Sequence, residues 1–304
     1  MRVGLQITDL STLGSPAELG KRLAEIARTA EDGGFYSLWM PDHLLNAMHV
    51  LGLPLDDPTL EGYSTIAFLA ALAERIKVGL QVTCPLFRHP AVLVKTISTI
   101  DVLSGGRTYF GIGAGWFEHE AQALGIAFPS KRERFEQLEE TVQIAKHMWT
   151  GNTRPFMGKY YQLPEPLNQP QPLSQPHPPI MIGGEGERKT LWLVAKYADA
   201  CNIRIGDMLR EPFFTDGFDL LRRKLGALEQ HCRDIGRPYD DIEKTVQVWL
   251  KLTSSSQEAT RVVEHCRQLT DFGIQHIIFN GNVHEFTPLE IMCKQVVPQI
   301  ANLL

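Results

Sequence analysis

Asp42 and His43 are well placed for acid–base chemistry, because they directly follow a short β-rich run that ends at Met40. An imidazole ionises near neutral pH, so His43 could exchange a proton with a substrate. Neighbouring side chains of an extended chain point in opposite directions, and the two residues are therefore not expected to pair with each other. The alternative is that Asp42 caps a turn and His43 is an ordinary loop residue.

Glycine-rich segments follow two later β-rich runs, at Gly111-Ile112-Gly113-Ala114-Gly115-Trp116 and at Gly183-Gly184-Glu185-Gly186. A backbone without side chains can approach a flat or anionic ligand closely. The second segment leads into a helix predicted over 187–197, whose free N–H groups could bind a phosphate. Tight turns between a strand and a helix would explain both segments about as well.

Cys84 closes a further segment at the end of another β-rich run, Gln81-Val82-Thr83-Cys84. No base accompanies it in the sequence, so Cys84 is interpreted as a packing residue and not as a nucleophile. The sequence also contains no His-Glu-x-x-His, no Gly-x-Ser-x-Gly and no Walker loop. These absences argue against a metal hydrolase, a serine hydrolase elbow and P-loop chemistry, and no metal ligand is predicted.

The elements that must position these segments alternate between strand and helix. The predicted strands are Val3–Thr8, Phe35–Met40, Lys77–Thr83, Arg107–Ile112, Pro179–Ile182, Ala198–Ile203, Lys244–Leu252 and Gln275–Phe279. Capping boxes of the form Ser-x-x-Glu predict helix starts after Ser15, Ser130 and Ser255, and a final helix is predicted over Thr287–Leu303. Parallel strands need crossover helices, and eight such units close naturally into a barrel with its chemistry on the loops after the strands.

We therefore predict an α/β fold, a (β/α)8 TIM barrel forming one domain over residues 1–304, with insertions at about 113–129 and 150–178. A hairpin is expected around Met157–Leu163 in the second insertion. The rival fold is a doubly wound open sheet, which is weakened because no Gly-x-Gly-x-x-Gly follows the first predicted strand.

Composition excludes several classes of protein. The chain has 30 Lys and Arg against 35 Asp and Glu, a formal net charge of −5, and no basic stripe suited to nucleic acid. No apolar run reaches the roughly 18–20 residues of a membrane helix, and no signal-peptide core is seen. The five cysteines are scattered without a Cys-x-x-Cys pair, so free thiols and a cytoplasmic location are predicted.

Five motifs, in order, resemble the luciferase-like flavin and deazaflavin oxidoreductases, and most closely the subgroup that depends on the deazaflavin coenzyme F420. The resemblance extends from Met1 to about Asn202, and its motifs are Trp39–His43, Thr65–Leu72, Arg88–Ala91, Ile100–Trp116 and Pro179–Gly184. It implies a barrel with an insertion after strand four, assembled as a homodimer. It also implies a ring system in the barrel mouth, with its phosphate at the loop after strand five.

The resemblance implies roles for individual residues. It makes His43 the active-site histidine and implies a non-proline cis peptide bond at Gln81–Val82. The implied cofactor contacts are Asp42, Gln81, Val82, Thr83, Cys84, Ala114, Gly115, Trp116, His119, Gly183, Gly184, Glu185 and Gly186. In the deazaflavin-dependent sugar-phosphate dehydrogenases, a glutamate acts as proton partner where this chain has Trp116. That difference argues against sugar-phosphate oxidation and predicts an apolar wall instead.

The resulting prediction is an enzyme that transfers hydride between F420 and a small organic substrate while His43 handles a proton. Two alternatives stay open: an FMN-dependent two-component monooxygenase supplied by a partner reductase, and a barrel that binds a ligand or partner without catalysis. The sequence determines neither the substrate nor the direction of hydride transfer. Substrate contacts are expected from the segments Leu44–Gly62, Phe117–Pro178 and Asn202–Phe214.

Overall fold

Eight parallel strands close into a barrel in the computed structural model, which describes residues 1–184, 186–207, 217–253 and 256–303. The barrel strands are β1 (Arg2–Gln6), β2 (Ser37–Met40), β3 (Lys77–Leu80), β4 (Thr108–Ile112), β7 (Ile180–Gly183), β8 (Ala200–Asp207), β9 (Glu243–Leu250) and β10 (His276–Gly281). They follow the chain order around the barrel, and β10 pairs with β1 to close it, with Val3 opposite Ile277. The predicted barrel is confirmed, and all eight strands end at one mouth.

Helices follow the strands and cover the outside of the barrel. They are α1 (Leu19–Asp32), α2 (Gly62–Leu72), α3 (Pro90–Leu103), α4 (Glu118–Ala123), α5 (Lys131–Trp149), α6 (Thr190–Tyr197), α7 (Phe218–Ile235), α8 (Ser256–Thr270), α9 (Phe286–Ile291) and α10 (Val297–Ile300). None of the helices in the described part of the chain is long and apolar enough to cross a membrane.

The insertion after β4 contains the predicted hairpin, in which β5 (Phe156–Met157) pairs antiparallel with β6 (Gln162–Leu163). The capping box at Ser130 is formed, with Ser130 accepting from the backbone of Glu133 and the Glu133 carboxylate returning to Ser130. The inner face of α5 is buried from Leu138 to Trp149. The insertion is therefore anchored to the barrel by a well-capped amphipathic helix.

The hydrophobic core has two parts. Most buried residues form one cluster between the barrel and its helices, where α1, for example, contributes Leu23 and Ile26. A second, smaller cluster fills the barrel itself with Trp39, Tyr109, Met181, Ala200 and Ile278. These five side chains come from five different strands and are all buried inside the barrel. Side chains thus fill the interior of the barrel, and a ligand can bind only at the mouth.

Three predicted helix boundaries are wrong. Helix α1 begins at Leu19, because the residues before it form a turn that the backbone N–H of Glu18 closes by donating to the Ser15 carbonyl at 2.9 Å. Helix α6 begins at Thr190 and not at 187. The predicted final helix divides into α9, a π-turn at Met292–Val296 and α10, because Pro298 in α10 lacks the N–H that would continue regular hydrogen bonding. The capping box expected at Ser255 lies partly outside the described residues.

Candidate active site

A histidine and a buried glutamate pair at the barrel mouth. His43 follows β2, and its Nδ1 lies 2.9 Å from Oε2 of Glu120, which is 1% exposed on α4. The other carboxylate oxygen of Glu120 accepts hydrogen bonds from the backbone N–H groups of Leu44 and Leu45, the latter at 2.8 Å. The glutamate therefore holds both the imidazole and the start of the loop that follows it.

Asp42 points away from His43, as the alternation of an extended chain predicts. Its carboxylate accepts two hydrogen bonds from the Arg88 guanidinium, at 2.7 and 2.9 Å, and one from the backbone N–H of Cys84 at 3.0 Å. Burial raises the pKa of Asp42, and the hydrogen bonds from Arg88 oppose that rise. Arg88 also contacts Glu61 at the start of α2. These contacts join the loops after β2 and β3.

The chain leaves β3 through a cis peptide bond between Gln81 and Val82, which confirms the expected bond. The Val82 side chain then lies against Gly113 and Gly183, where an added Cβ would come within 2.8 Å and 2.9 Å of its methyl groups. Val82, Gly113 and Gly183 pack together at the mouth as an apolar cluster, here called the Val82 platform. These glycines are thus required by the packing of Val82, a role that sequence reasoning did not foresee.

The remaining residues of the β3 exit are buried. Thr83 is fully buried, and its hydroxyl lies 2.6 Å from the Tyr63 hydroxyl of α2. Cys84 packs against Gly115, which has a φ of 74° and where an added Cβ would lie only 2.8 Å from Cys84 Sγ, so no side chain fits there. Burial raises the pKa of the Cys84 thiol to about 12, so it stays protonated at neutral pH. This agrees with the interpretation of Cys84 as a packing residue.

An aromatic wall stands beside His43 where the chain leaves β4. Trp116 stacks on Phe117 at a centroid distance of 5.2 Å, and both rings meet the His43 imidazole edge-on, at 5.6 and 6.0 Å. Trp116 is 56% exposed, whereas Phe117 is buried. His119 is exposed and lies 6.0 Å from His49, in the loop after β2. The wall can therefore contribute an exposed indole face to a bound ligand.

The other implied contacts lie at two places on the mouth. Ala114 is half-buried beside the Val82 platform, and Gly184 has a φ of 136° next to Thr190. Gly186 also lies within 3.0 Å of Thr190, measured from an added Cβ. Glu185 lies outside the described residues. Helix α6 begins at Thr190 and not at 187. The free backbone N–H groups at its start, which were predicted to bind a phosphate, therefore lie three residues later in the chain than expected.

Two site features were missed by the sequence reasoning. The sequence reasoning does not identify Glu120, although Phe117, Glu120 and Ala121 follow the i, i+3, i+4 spacing of one helix face, which would have predicted an inward carboxylate. The Gln81 carboxamide was expected to contact a cofactor, but not to be isolated: its Nε2 and Oε1 are buried and make no hydrogen bond within the described part of the chain. Within that part, no cluster of His, Cys, Asp or Glu could hold a metal ion.

Comparison with known proteins identifies the family. Residues 1–290 match the family model of luciferase-like monooxygenases. The chain belongs to this family. It is 31% identical to the F420-dependent glucose-6-phosphate dehydrogenase of Kineococcus radiotolerans, over 82% of this chain and 72% of the relative. It is also 27% identical to an enzyme of the same name from Nakamurella multipartita, over 93% of both chains.

Solved structures of the family share the fold. The F420-dependent tetrahydromethanopterin reductase of Methanopyrus kandleri superimposes with a TM-score of 0.76 at 15% identity, covering 98% of this chain and 99% of that one. An F420-dependent secondary alcohol dehydrogenase in complex with an F420-acetone adduct gives a TM-score of 0.76 at 17% identity, covering 98% of both chains. At these identities the likeness shows the luciferase-like barrel and nothing finer.

Proposed function

We propose that this protein is an F420-dependent oxidoreductase that transfers hydride between the deazaflavin and a small organic substrate. The observation on which the proposal rests is the His43–Glu120 pair, which lies at the barrel mouth against the aromatic wall. Family membership and curated relatives named as F420-dependent dehydrogenases support the choice of cofactor.

The residues of the mouth suit a flat, partly polar ring. The Val82 platform offers an apolar surface, and the isolated Gln81 carboxamide offers a donor and an acceptor to the N–H and carbonyl groups of a flavin-type ring. A buried amide without a partner costs free energy, which a matching ligand group would recover. We therefore propose the Val82 platform and Gln81 as the ring site, with the loop at 183–186 holding the phosphate. F420 would supply a ring carbon that accepts or releases hydride.

His43 would hold or release the proton of the substrate oxygen, which must move together with the hydride. Trp116 and Phe117 would exclude water from the reacting atoms, because they cover the side of the mouth next to the imidazole. The Asp42–Arg88 hydrogen bonds would keep the loops after β2 and β3 at a constant separation. The chain would thus position the loops of the site, exclude water from it and transfer the substrate proton.

The substrate is expected to differ from that of the sugar-phosphate dehydrogenases. Although several relatives are named glucose-6-phosphate dehydrogenases, this chain has the exposed indole of Trp116 at the position where the resemblance implies a glutamate. An indole cannot accept a proton. We propose that Trp116 contacts an apolar part of the substrate, with further contacts from 44–62 and 117–178. The third expected segment, Asn202–Phe214, is described only as far as Asp207.

The deciding experiment is a titration of the apoprotein with F420 and, in parallel, with FMN, followed by tryptophan fluorescence. Trp116 and Trp39 should be quenched by a ring on the Val82 platform, and a Trp116→Phe variant should lose much of the change while still binding. Binding of F420 at least tenfold tighter than FMN is expected. Tighter FMN binding would favour a two-component monooxygenase with a partner reductase. Binding of neither would contradict the proposal, and binding of F420 without any turnover would favour a non-catalytic barrel.

A further inference from the structure

We propose that Glu120 is a positioning residue that sets the tautomer of His43 and makes Nε2 its working nitrogen. The proposal rests on the proposed function for its chemistry, but its geometry is independent of any cofactor. An ionised carboxylate only accepts hydrogen bonds, so Oε2 of Glu120 requires a proton on Nδ1 of His43, 2.9 Å away. In a neutral imidazole, Nε2 then carries the free lone pair.

The environment of the imidazole supports this assignment. Nε2 has no hydrogen-bond partner in the described part of the chain, and the side chain is 19% exposed at the mouth. Trp116 and Phe117 contact the edge-on ring, and Glu120 is hydrogen-bonded to it through Nδ1. Glu120 is itself held by the N–H groups of Leu44 and Leu45. A carboxylate fixed in this way can orient the imidazole without moving.

This arrangement defines the proton step. In the oxidation of an alcohol, the C–H bond would break with its electron pair leaving as hydride, and the deazaflavin of the proposed function would supply the hydride acceptor. The O–H proton passes to Nε2 of His43, and the electrons of the O–H bond complete the carbonyl. Glu120 then faces an imidazolium, which its negative charge stabilises. In the reverse direction, the imidazolium returns the proton from Nε2 to the carbonyl oxygen.

Glu120→Gln separates this role from a merely structural one. The carbonyl oxygen of the glutamine can still accept from Leu44 and Leu45, so the loop should keep its anchor and Tm should stay within about 3 °C of wild type. The amide nitrogen, however, would face Nδ1 of His43 with a donor in place of an acceptor. Nδ1 must then become an acceptor, and the proton must move to Nε2.

The measurement is 15N NMR of histidine-labelled protein at a pH of about 8.5, where an unperturbed imidazole is neutral. A His43→Asn variant identifies the His43 resonances among those of ten histidines. Wild type should show the proton on Nδ1 and Glu120→Gln should show it on Nε2, with turnover at least 100-fold lower and F420 affinity within threefold. Glu120→Asp, which keeps the acceptor, should retain the wild-type tautomer. Glu118→Gln is the control, because Glu118 is exposed on the same helix.

An unchanged tautomer in Glu120→Gln would overturn the proposal, as would a changed tautomer with wild-type turnover. Glu120→Ala should lower Tm, because it removes the loop anchor, and this variant measures the structural contribution separately. If F420 fails to bind but the tautomer inverts, the proposed function is wrong and the positioning role survives. If F420 binds and supports turnover but the tautomer does not invert, the proposed function stands and the positioning role of Glu120 is wrong.

Discussion

Arg88 holds Asp42 through two parallel hydrogen bonds of 2.7 and 2.9 Å, although the two residues are 46 positions apart in the chain. Asp42 precedes His43, so this pair determines where the chain turns after β2. Burial opposes the charge of Arg88, but its hydrogen bonds to Asp42 and Glu61 raise the pKa of the guanidinium above its ordinary value. The pair therefore couples the loops after β2 and β3.

Arg88→Lys should lower the free energy of unfolding by about 1–3 kcal/mol, because an ammonium cannot make both hydrogen bonds to Asp42. Urea denaturation measures this change. Arg132→Lys is the matched control, since Arg132 pairs with Glu136 on the exposed face of α5 and should change stability by less than about 0.5 kcal/mol. An equal free energy of unfolding in Arg88→Lys and Arg132→Lys would show that the two hydrogen bonds from Arg88 to Asp42 contribute nothing to stability.

His43→Ala should lower turnover by roughly 100- to 10,000-fold, the range typical of general acid–base catalysis. The affinity for F420 should change much less, because His43 is not part of the Val82 platform. Steady-state rates and a cofactor titration on the same preparation test both statements. His147→Ala, a change on α5 distant from the mouth, serves as the control. Wild-type turnover in His43→Ala would remove this residue from the mechanism.

Glu243 makes stability depend on pH at the closed end of the barrel. Burial raises the pKa of Glu243, but the His276 imidazole 3.4 Å away, the Arg2 charge and the Tyr109 hydroxyl together hold it below the usual value of 4.5. A lowered carboxylate pKa stabilises the fold above 4.5, and that stability is lost as the pH falls through the folded-state pKa.

Glu243→Gln should therefore lower the free energy of unfolding by about 1–3 kcal/mol at neutral pH and flatten its decline below about 4.5. Urea denaturation across this pH range is the measurement. Glu229→Gln, which alters an exposed pair with Arg233, should leave the pH profile unchanged. A Glu243→Gln profile parallel to that of wild type would contradict the assignment.

Ser37 and His276 resemble part of a hydrolase triad, with Ser37 Oγ 2.8 Å from His276 Nε2 and Glu243 beyond the ring. Ser37 is fully buried and also accepts a hydrogen bond from Trp39 Nε1 at 2.7 Å. No substrate can reach this hydroxyl, and the closed end of such a barrel serves stability. We expect no labelling by a serine-directed fluorophosphonate probe. Ser37→Ala should lose about 1–3 kcal/mol of stability and keep its oxidoreductase turnover.

The order of the elements could be predicted from the sequence because strand and helix patterns are local. The hairpin near Met157 and the capping box at Ser130 were predicted from residues within a few positions of one another, and the barrel from the repetition of such local patterns in eight successive units. The prediction of helix starts was less accurate where one sequence motif can form two different local structures. Ser15 and Glu18 make the hydrogen bond expected of a capping box, yet they close a turn that ends where α1 begins.

The sequence by itself determined the type of barrel, the placement of His43 at its mouth and the divergence of Asp42 from His43. These follow from periodicity and from the alternation of side chains along a strand. Only the tertiary structure decided the partners of these residues: Glu120 for His43, Arg88 for Asp42, and Gly113 with Gly183 for Val82. Each pair joins segments separated by at least 30 residues, and the distance between them depends on how the barrel closes, which no local pattern contains.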